Sequence, residues 1–138
     1  MRRIRVLLDT NFLMIPIEYE INVFDEIEKL LNRKPEYITI SSVINELKEI
    51  AKKGKVKERK AALTALKLVN EYKVKVIEDY NIKGEKTDEK IINLARILKG
   101  NVVIATNDRE LRLRIRKMGI PVIMYRERDH RLWLDGEV

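Results

Sequence analysis

The stretch Ile4-Arg5-Val6-Leu7-Leu8-Asp9-Thr10-Asn11 turns from a short apolar run into three small polar residues. Its counterpart comes late in the chain, where Val102-Val103-Ile104-Ala105 runs into Thr106-Asn107-Asp108. Runs of four or five residues rich in Val, Ile and Leu read as strands buried on both faces. Three more such runs, Tyr37-Ile40, Val74-Ile77 and Pro121-Tyr125, bring the expected number to about five. Between them lie helical patterns at Val23-Leu31, Val43-Ala51, Ala61-Tyr72 and Leu111-Met118. The clearest, Ile91, Leu94, Ala95 and Leu98, keeps the i, i+3, i+4, i+7 spacing and stops at Gly100. Strands alternating with helices predict a three-layer α/β fold, a mainly parallel sheet flanked by helices. No repeat or Pro/Gly/Ser-rich linker divides residues 1–138, so one domain is expected, and the charged stretch Lys52-Lys57 reads as a turn between two helices.

In an open parallel sheet the functional crevice lies beyond the carboxyl ends of the strands. Asp9 and Asp108 both emerge there. Taken singly, each reads as a helix N-cap, a position that favours Asp. Two more acids alter the balance. Asp88 stands three residues before Ile91, in line with the stripe of Ile91, Ala95 and Leu98, which predicts an inward-facing carboxylate. An inward charge is costly unless it is paired or binds a cation. The competing reading has Thr87 as the helix cap and Asp88 in the first turn, favoured by the helix dipole. Glu46 lies at the edge of the Val43, Leu47, Ile50 stripe, with Glu49 facing further outward.

The composition narrows the chemistry available to such a cluster. With no cysteine and a single histidine, thiolate nucleophiles, disulfides and a multi-histidine zinc centre are excluded within one chain. Four carboxylates in one crevice repel one another, and hard cations such as Mg²⁺ or Mn²⁺ relieve that repulsion through oxygen ligands. A cation held there can activate water and stabilise a phosphodiester leaving group. Charged residues are 37% of the chain and there is no glutamine, a bias found in hyperthermophile proteins. The excess of 29 Lys+Arg over 22 Asp+Glu, a net charge of +7, additionally favours a polyanionic partner such as nucleic acid. No apolar stretch reaches the ~20 residues of a membrane span. A cytoplasmic protein without membrane attachment is the expectation.

The N-terminal strand ending in Asp9-Thr10-Asn11, the helical Glu46, the helix-start Asp88 and the late Thr106-Asn107-Asp108 together resemble the PIN-domain nucleases, over essentially the whole chain. The resemblance implies a metal-dependent endoribonuclease in which Asp9, Glu46, Asp88 and Asp108 form the acidic metal site. Thr106 is then a polar helper and Asn11 orients Asp9 or a bound water. The stretch from Ile104 through Tyr125 to Trp133 looks like archaeal PIN proteins related to the endonucleases of ribosomal-RNA processing. Similarity extends to the VapC ribonucleases of toxin-antitoxin pairs, which implies an antitoxin partner, and dimers are common in the family.

On the helix after Thr106, Arg109, Arg112 and Arg116 share a face and are the residues expected to hold RNA phosphates, with a solvated face as the alternative. The lysines of the Lys52-Lys60 segment could extend that track. His130 reads as structural or exposed, and Trp133 as packing a final strand or a subunit contact rather than stacking a base. Two rival functions remain: a non-catalytic RNA-binding scaffold using its basic surface, and a receiver-like domain phosphorylated on Asp9, disfavoured by Asn11 in place of a second aspartate.

Overall fold

A computed structural model describes residues 3–138. In chain order the elements are β1 (Arg5–Leu8), α1 (Thr10–Tyr19), α2 (Val23–Leu31), β2 (Glu36–Ile40), α3 (Ser41–Lys53), α4 (Val56–Glu71), β3 (Lys75–Ile77), α5 (Thr87–Leu98), β4 (Val102–Ala105), α6 (Arg109–Lys117), β5 (Val122–Arg126) and β6 (Arg131–Asp135). The sheet order is β3-β2-β1-β4-β5-β6. Its first five strands are parallel, and β6 returns antiparallel to β5. The fold is the expected α/β one, with six strands in place of about five.

β1 sits between β2 and β4 and is buried because both its faces are covered: Val6, Leu7 and Leu8 have no exposed surface. That explains why its sequence is an unbroken apolar run rather than an alternation. The alternation appears instead in the β5-β6 hairpin. Tyr125 packs its ring on Tyr19 of α1, whereas Asp135 bonds Arg112 and Arg116 of α6. Tyr125 pairs with Leu132 and Met124 with Trp133, so Asp135, two residues on from Trp133, lies on the face opposite Tyr125. Helices α1 and α6 therefore cover opposite faces of the sheet, giving the three layers.

Helix α1 has no counterpart among the expected elements, and β6 was expected only as a final strand around Trp133, without bounds. Helix α1 carries the run Phe12-Leu13-Met14-Ile15, all buried, followed by Pro16. A helix clasped between other elements shows no amphipathic stripe, and a proline inside it breaks the usual signal. Strand β6 has only Leu132 fully buried, because it is the sheet's edge, and its Arg131 and Asp135 read as loop composition. The turn expected at Lys52-Lys57 is present, though shorter: α3 ends at Lys53 and α4 begins at Val56.

Candidate active site

The register of the central strands brings the two polar motifs side by side. Leu8 of β1 pairs with Ala105 of β4, and the Asp9 N–H donates to the Ala105 carbonyl (3.0 Å). Asp9 and Thr106 thus leave the sheet at the same level. The Thr106 hydroxyl donates to Asp9 Oδ2 (2.7 Å) and accepts from the Asp108 N–H (3.1 Å), tying the two motifs together. Asn11 completes the link: its Nδ2 donates to Asp9 Oδ2 (3.2 Å) while its Oδ1 accepts from the Asn107 N–H (3.0 Å). Asn107 in turn accepts from the Tyr125 N–H (2.7 Å), which fixes the loop to β5.

Both aspartates do cap helices, and that role leaves them free for another. Asp9 Oδ1 accepts from the Thr10 N–H (2.8 Å) at the start of α1, and Asp108 Oδ1 accepts from the Leu111 N–H (3.0 Å) at the start of α6. Oδ2 of Asp108 has no hydrogen-bond partner among the described residues. The two readings of these residues are compatible because a carboxylate has about four acceptor positions.

A cleft of about 610 Å³ opens at this edge, lined by Asp9, Asn11, Glu46, Asp88 and Asp108 among others. Asp9 is buried, at 5% exposure. Burial pushes its carboxyl up to about 6; hydrogen bonds from Thr106 and Thr10 oppose the rise, and the charges of Asp88 and Glu46 add to it. The Asp88 carboxyl is also raised, first by desolvation and then by Asp108 and Glu46, with Arg114 pulling the other way. Asp88 thus feels the charges of Asp108 and Glu46, and Asp9 those of Asp88 and Glu46. Among the described residues, no group of three or more acidic or histidine side chains is gathered tightly enough to enclose an ion unaided.

The expected inward placement of Asp88 is corrected by the structure. Asp88 is exposed, although Ile91 one turn later is fully buried. A first-turn residue projects past the packed layer, so being in line with an apolar stripe places it over the cleft rather than in the core. Thr87 does not cap α5 either. Lys86 occupies that position without a side-chain cap, and the Thr87 hydroxyl donates to Glu46 Oε2 (3.0 Å). Glu46 Oε1 accepts from the Thr10 hydroxyl. Thr10 and Thr87 thus hold Glu46 from α1 and α5, a role the sequence does not indicate, since Thr87 reads as a helix cap and the helix after Thr10 was not expected.

The arginine face is only partly at the cleft. Arg112 and Arg116 bond the two oxygens of Asp135 on β6 (3.0 and 3.2 Å), so they brace α6 against the edge strand. Arg109 is exposed at the start of α6. The guanidinium whose charge acts on Asp88 is that of Arg114, which the i, i+3, i+7 spacing left out.

Behind the cleft, a buried group sets the relative position of α3 and α5. Asp79 is 4% exposed and accepts from the Ser41 hydroxyl (2.9 Å), the Ser42 N–H (2.9 Å) and Lys90 Nζ (3.4 Å). It caps α3, which has no side-chain cap of its own, and Lys90 anchors α5 to it. Burial alone would raise this carboxyl, but the bonds from Ser42 and Ser41 and the charge of Lys90 outweigh it and hold it below the usual range. A depressed carboxylate contributes stability above its unfolded value of about 3.9, and that stability is lost as pH falls through the folded value. Asp79→Asn keeps the shape and loses the charge, so we expect a loss of about 2 kcal/mol in urea unfolding at pH 7, shrinking below about pH 4. An equal loss at both pH values would mean that the charge contributes nothing.

Comparison with known proteins gives a consistent picture. The profile of the family described as "PIN like domain" matches residues 6–128. Ribonuclease VapC4 of Methanocaldococcus jannaschii is 35% identical over 128 residues, covering 91% of this chain and 93% of that protein. Among solved structures, the PIN domain endonuclease Utp24 superposes with a TM-score of 0.76 at 24% identity, covering 97% of this chain and 92% of the other. VapBC2 from Rickettsia felis, bound to a DNA fragment from its promoter, superposes with a TM-score of 0.55 at 18% identity, covering 77% of this chain and 89% of the other. At these identities the structural likenesses concern the fold.

Proposed function

The chain belongs to the PIN-like domain family, and from that premise we propose that it is an endoribonuclease that hydrolyses RNA phosphodiester bonds with a divalent cation held at the carboxylate cleft. The observation that carries the reading is the convergence of Asp9, Glu46, Asp88 and Asp108 on one cleft, with Asp9 shifted up to about 6 by burial and by like charges. Perturbed carboxylates gathered in a cleft are costly to keep unless they serve a ligand. The relative named as a ribonuclease supports the choice of substrate, as does the net charge of +7.

The donor set fits Mg²⁺ or Mn²⁺. Every side chain available is an oxygen donor, and such ions take one or two carboxylates directly and keep several waters, so a tight cage of three acids is not required. Asp9 and Asp108 would be the direct ligands, with Asp88 and Glu46 completing the shell or holding bound water. When bound, the cation would lower the pKa of a water and stabilise charge on the leaving oxygen.

The chain's own contribution is orientation. Thr106 and Asn11 fix Asp9 Oδ2, and Thr10 fixes Oδ1, so the carboxylate cannot rotate. The hydroxyls of Thr10 and Thr87 do the same for Glu46. Groups fixed before substrate arrives need no reorganisation during the reaction. Arg109, at the start of α6, and Arg114, in its last turn but acting on Asp88, offer positive charge to RNA phosphates, whereas Arg112 and Arg116 are engaged by Asp135.

The test is cleavage of an end-labelled structured RNA by the wild-type protein with magnesium, with manganese and with EDTA. Discrete products that need either metal are expected. Binding without products in every condition would replace this reading with that of an RNA-binding scaffold. Mapping the cuts in total cellular RNA then separates a ribosomal-RNA processing role from a toxin role with an antitoxin partner.

A further inference from the structure

The β5-β6 hairpin rises from the same edge of the sheet as the cleft. β5 is parallel to β4, so Arg126 at its end and Arg131 at the start of β6 stand at the carboxyl edge. They lie two to three strand spacings from β1, roughly 10–14 Å. Arg126 and Arg131 are direct cross-strand partners. Like charges in that position destabilise a sheet. Among the described residues neither has a carboxylate within ion-pair distance, although Arg128 in the turn between them pairs with Asp129 (3.8 Å).

What holds the two guanidiniums in place is a ring. Their Cζ atoms lie 3.9 and 4.5 Å from the centroid of Trp133, on the same strand face. The indole N–H of Trp133 is buried and has no hydrogen-bond partner among the described residues. A phenylalanine or leucine would fill this strand position without stranding a buried donor, which is costly. The indole offers instead the strongest cation–π surface of any side chain. Two unneutralised, pre-ordered guanidiniums beside an RNA-cleaving cleft are complementary to a sugar-phosphate backbone, because a planar fork of donors matches phosphate oxygens. Arg131 and Trp133 also lie beyond residues 6–128, the part matched by the family profile.

We propose that Arg126 and Arg131, ordered by Trp133, form a phosphate platform that holds the RNA strand as it leaves the cleft. The inference rests on the reading of the cleft as an RNA-cleaving site, extending it to where the substrate runs.

Anisotropy of labelled single-stranded RNA, measured in EDTA over a range of salt, tests the platform separately from cleavage. Two lengths are used, one confined to the cleft and one long enough to reach the hairpin. For the long RNA, Arg126→Gln with Arg131→Gln should lower the slope of log K against log salt by about 0.7 per lost contact, about 1.4 in all. Binding of the short RNA, and its cleavage with magnesium, should be unchanged, and the melting temperature should not fall once the opposed charges are gone. Trp133→Leu should reproduce part of the long-RNA effect, and Trp133→Phe less of it. An unchanged slope for the long RNA overturns the platform even if the protein cuts RNA. A reduced slope in a protein that cuts nothing leaves the platform standing and overturns the nuclease reading instead.

Discussion

Asp9→Asn should lower metal-dependent RNA cleavage by on the order of 10³-fold or more, the range found when a group essential to the transition state is removed. The substitution is informative because it changes so little else. Asparagine is as good an N-cap as aspartate, so α1 keeps its start. Its carbonyl oxygen can still accept from Thr106 or from Thr10. What disappears is one unit of negative charge and one acceptor oxygen at the buried centre of the cleft. Turnover should be measured with RNA in excess of its half-saturating concentration, and RNA binding in EDTA should stay within a few-fold of wild type. Wild-type turnover in the variant would remove Asp9 from the chemistry and with it the carboxylate mechanism. Lost binding with retained turnover would make Asp9 part of the RNA surface instead.

The gathering of the four acids at one cleft was legible because it rests on local rules. Apolar runs that end in Asp-Thr-Asn and Thr-Asn-Asp mark two strand ends, and parallel pairing puts both on one edge, as the 2.7 Å bond from Thr106 to Asp9 reflects. Glu46 and Asp88 required only that their helices begin near that edge. What was hidden depends on side-chain direction or on distant partners. The i, i+3, i+7 spacing of Arg109, Arg112 and Arg116 identifies a helix face correctly, but not which way that face points. It points toward β6, an edge strand of mixed composition marked in the sequence only by Trp133, and Asp135 takes two of the three. Arg114 lies nearly half a turn round the helix from that face, and its charge acts on Asp88. Asp79 was missed for a different reason: Ser41 and Ser42 lie 38 and 37 residues before it, and Lys90, 11 residues on, sits in another helix. The cross-strand register that sets Arg126 opposite Arg131 was not visible either.

The same burial that raises Asp9 gives a stability test independent of catalysis. A carboxyl whose folded value is about 6, against about 3.9 when unfolded, binds its proton more tightly in the native state. The stabilisation from the neutral form is fully present below about pH 4 and is lost as pH rises through 6. Two units correspond to about 3 kcal/mol, roughly 10 °C in melting temperature for a chain of this size. Asp79 has the opposite sign and loses its contribution at low pH, so the raw pH profile of the metal-free protein mixes the two. The difference between wild type and Asp9→Asn isolates Asp9. Whatever the variant's absolute stability, its melting temperature should rise relative to wild type by roughly 10 °C between pH 4 and pH 7 in EDTA. Magnesium or manganese should then stabilise wild type at pH 7 far more than the variant, because an ion that binds only the folded state restores what ionisation removed. A pH-independent difference would mean that Asp9 is ionised in both states at ordinary values. In that case the cleft is wetter than its geometry indicates, and the carboxylates are not held under repulsion for a cation to relieve.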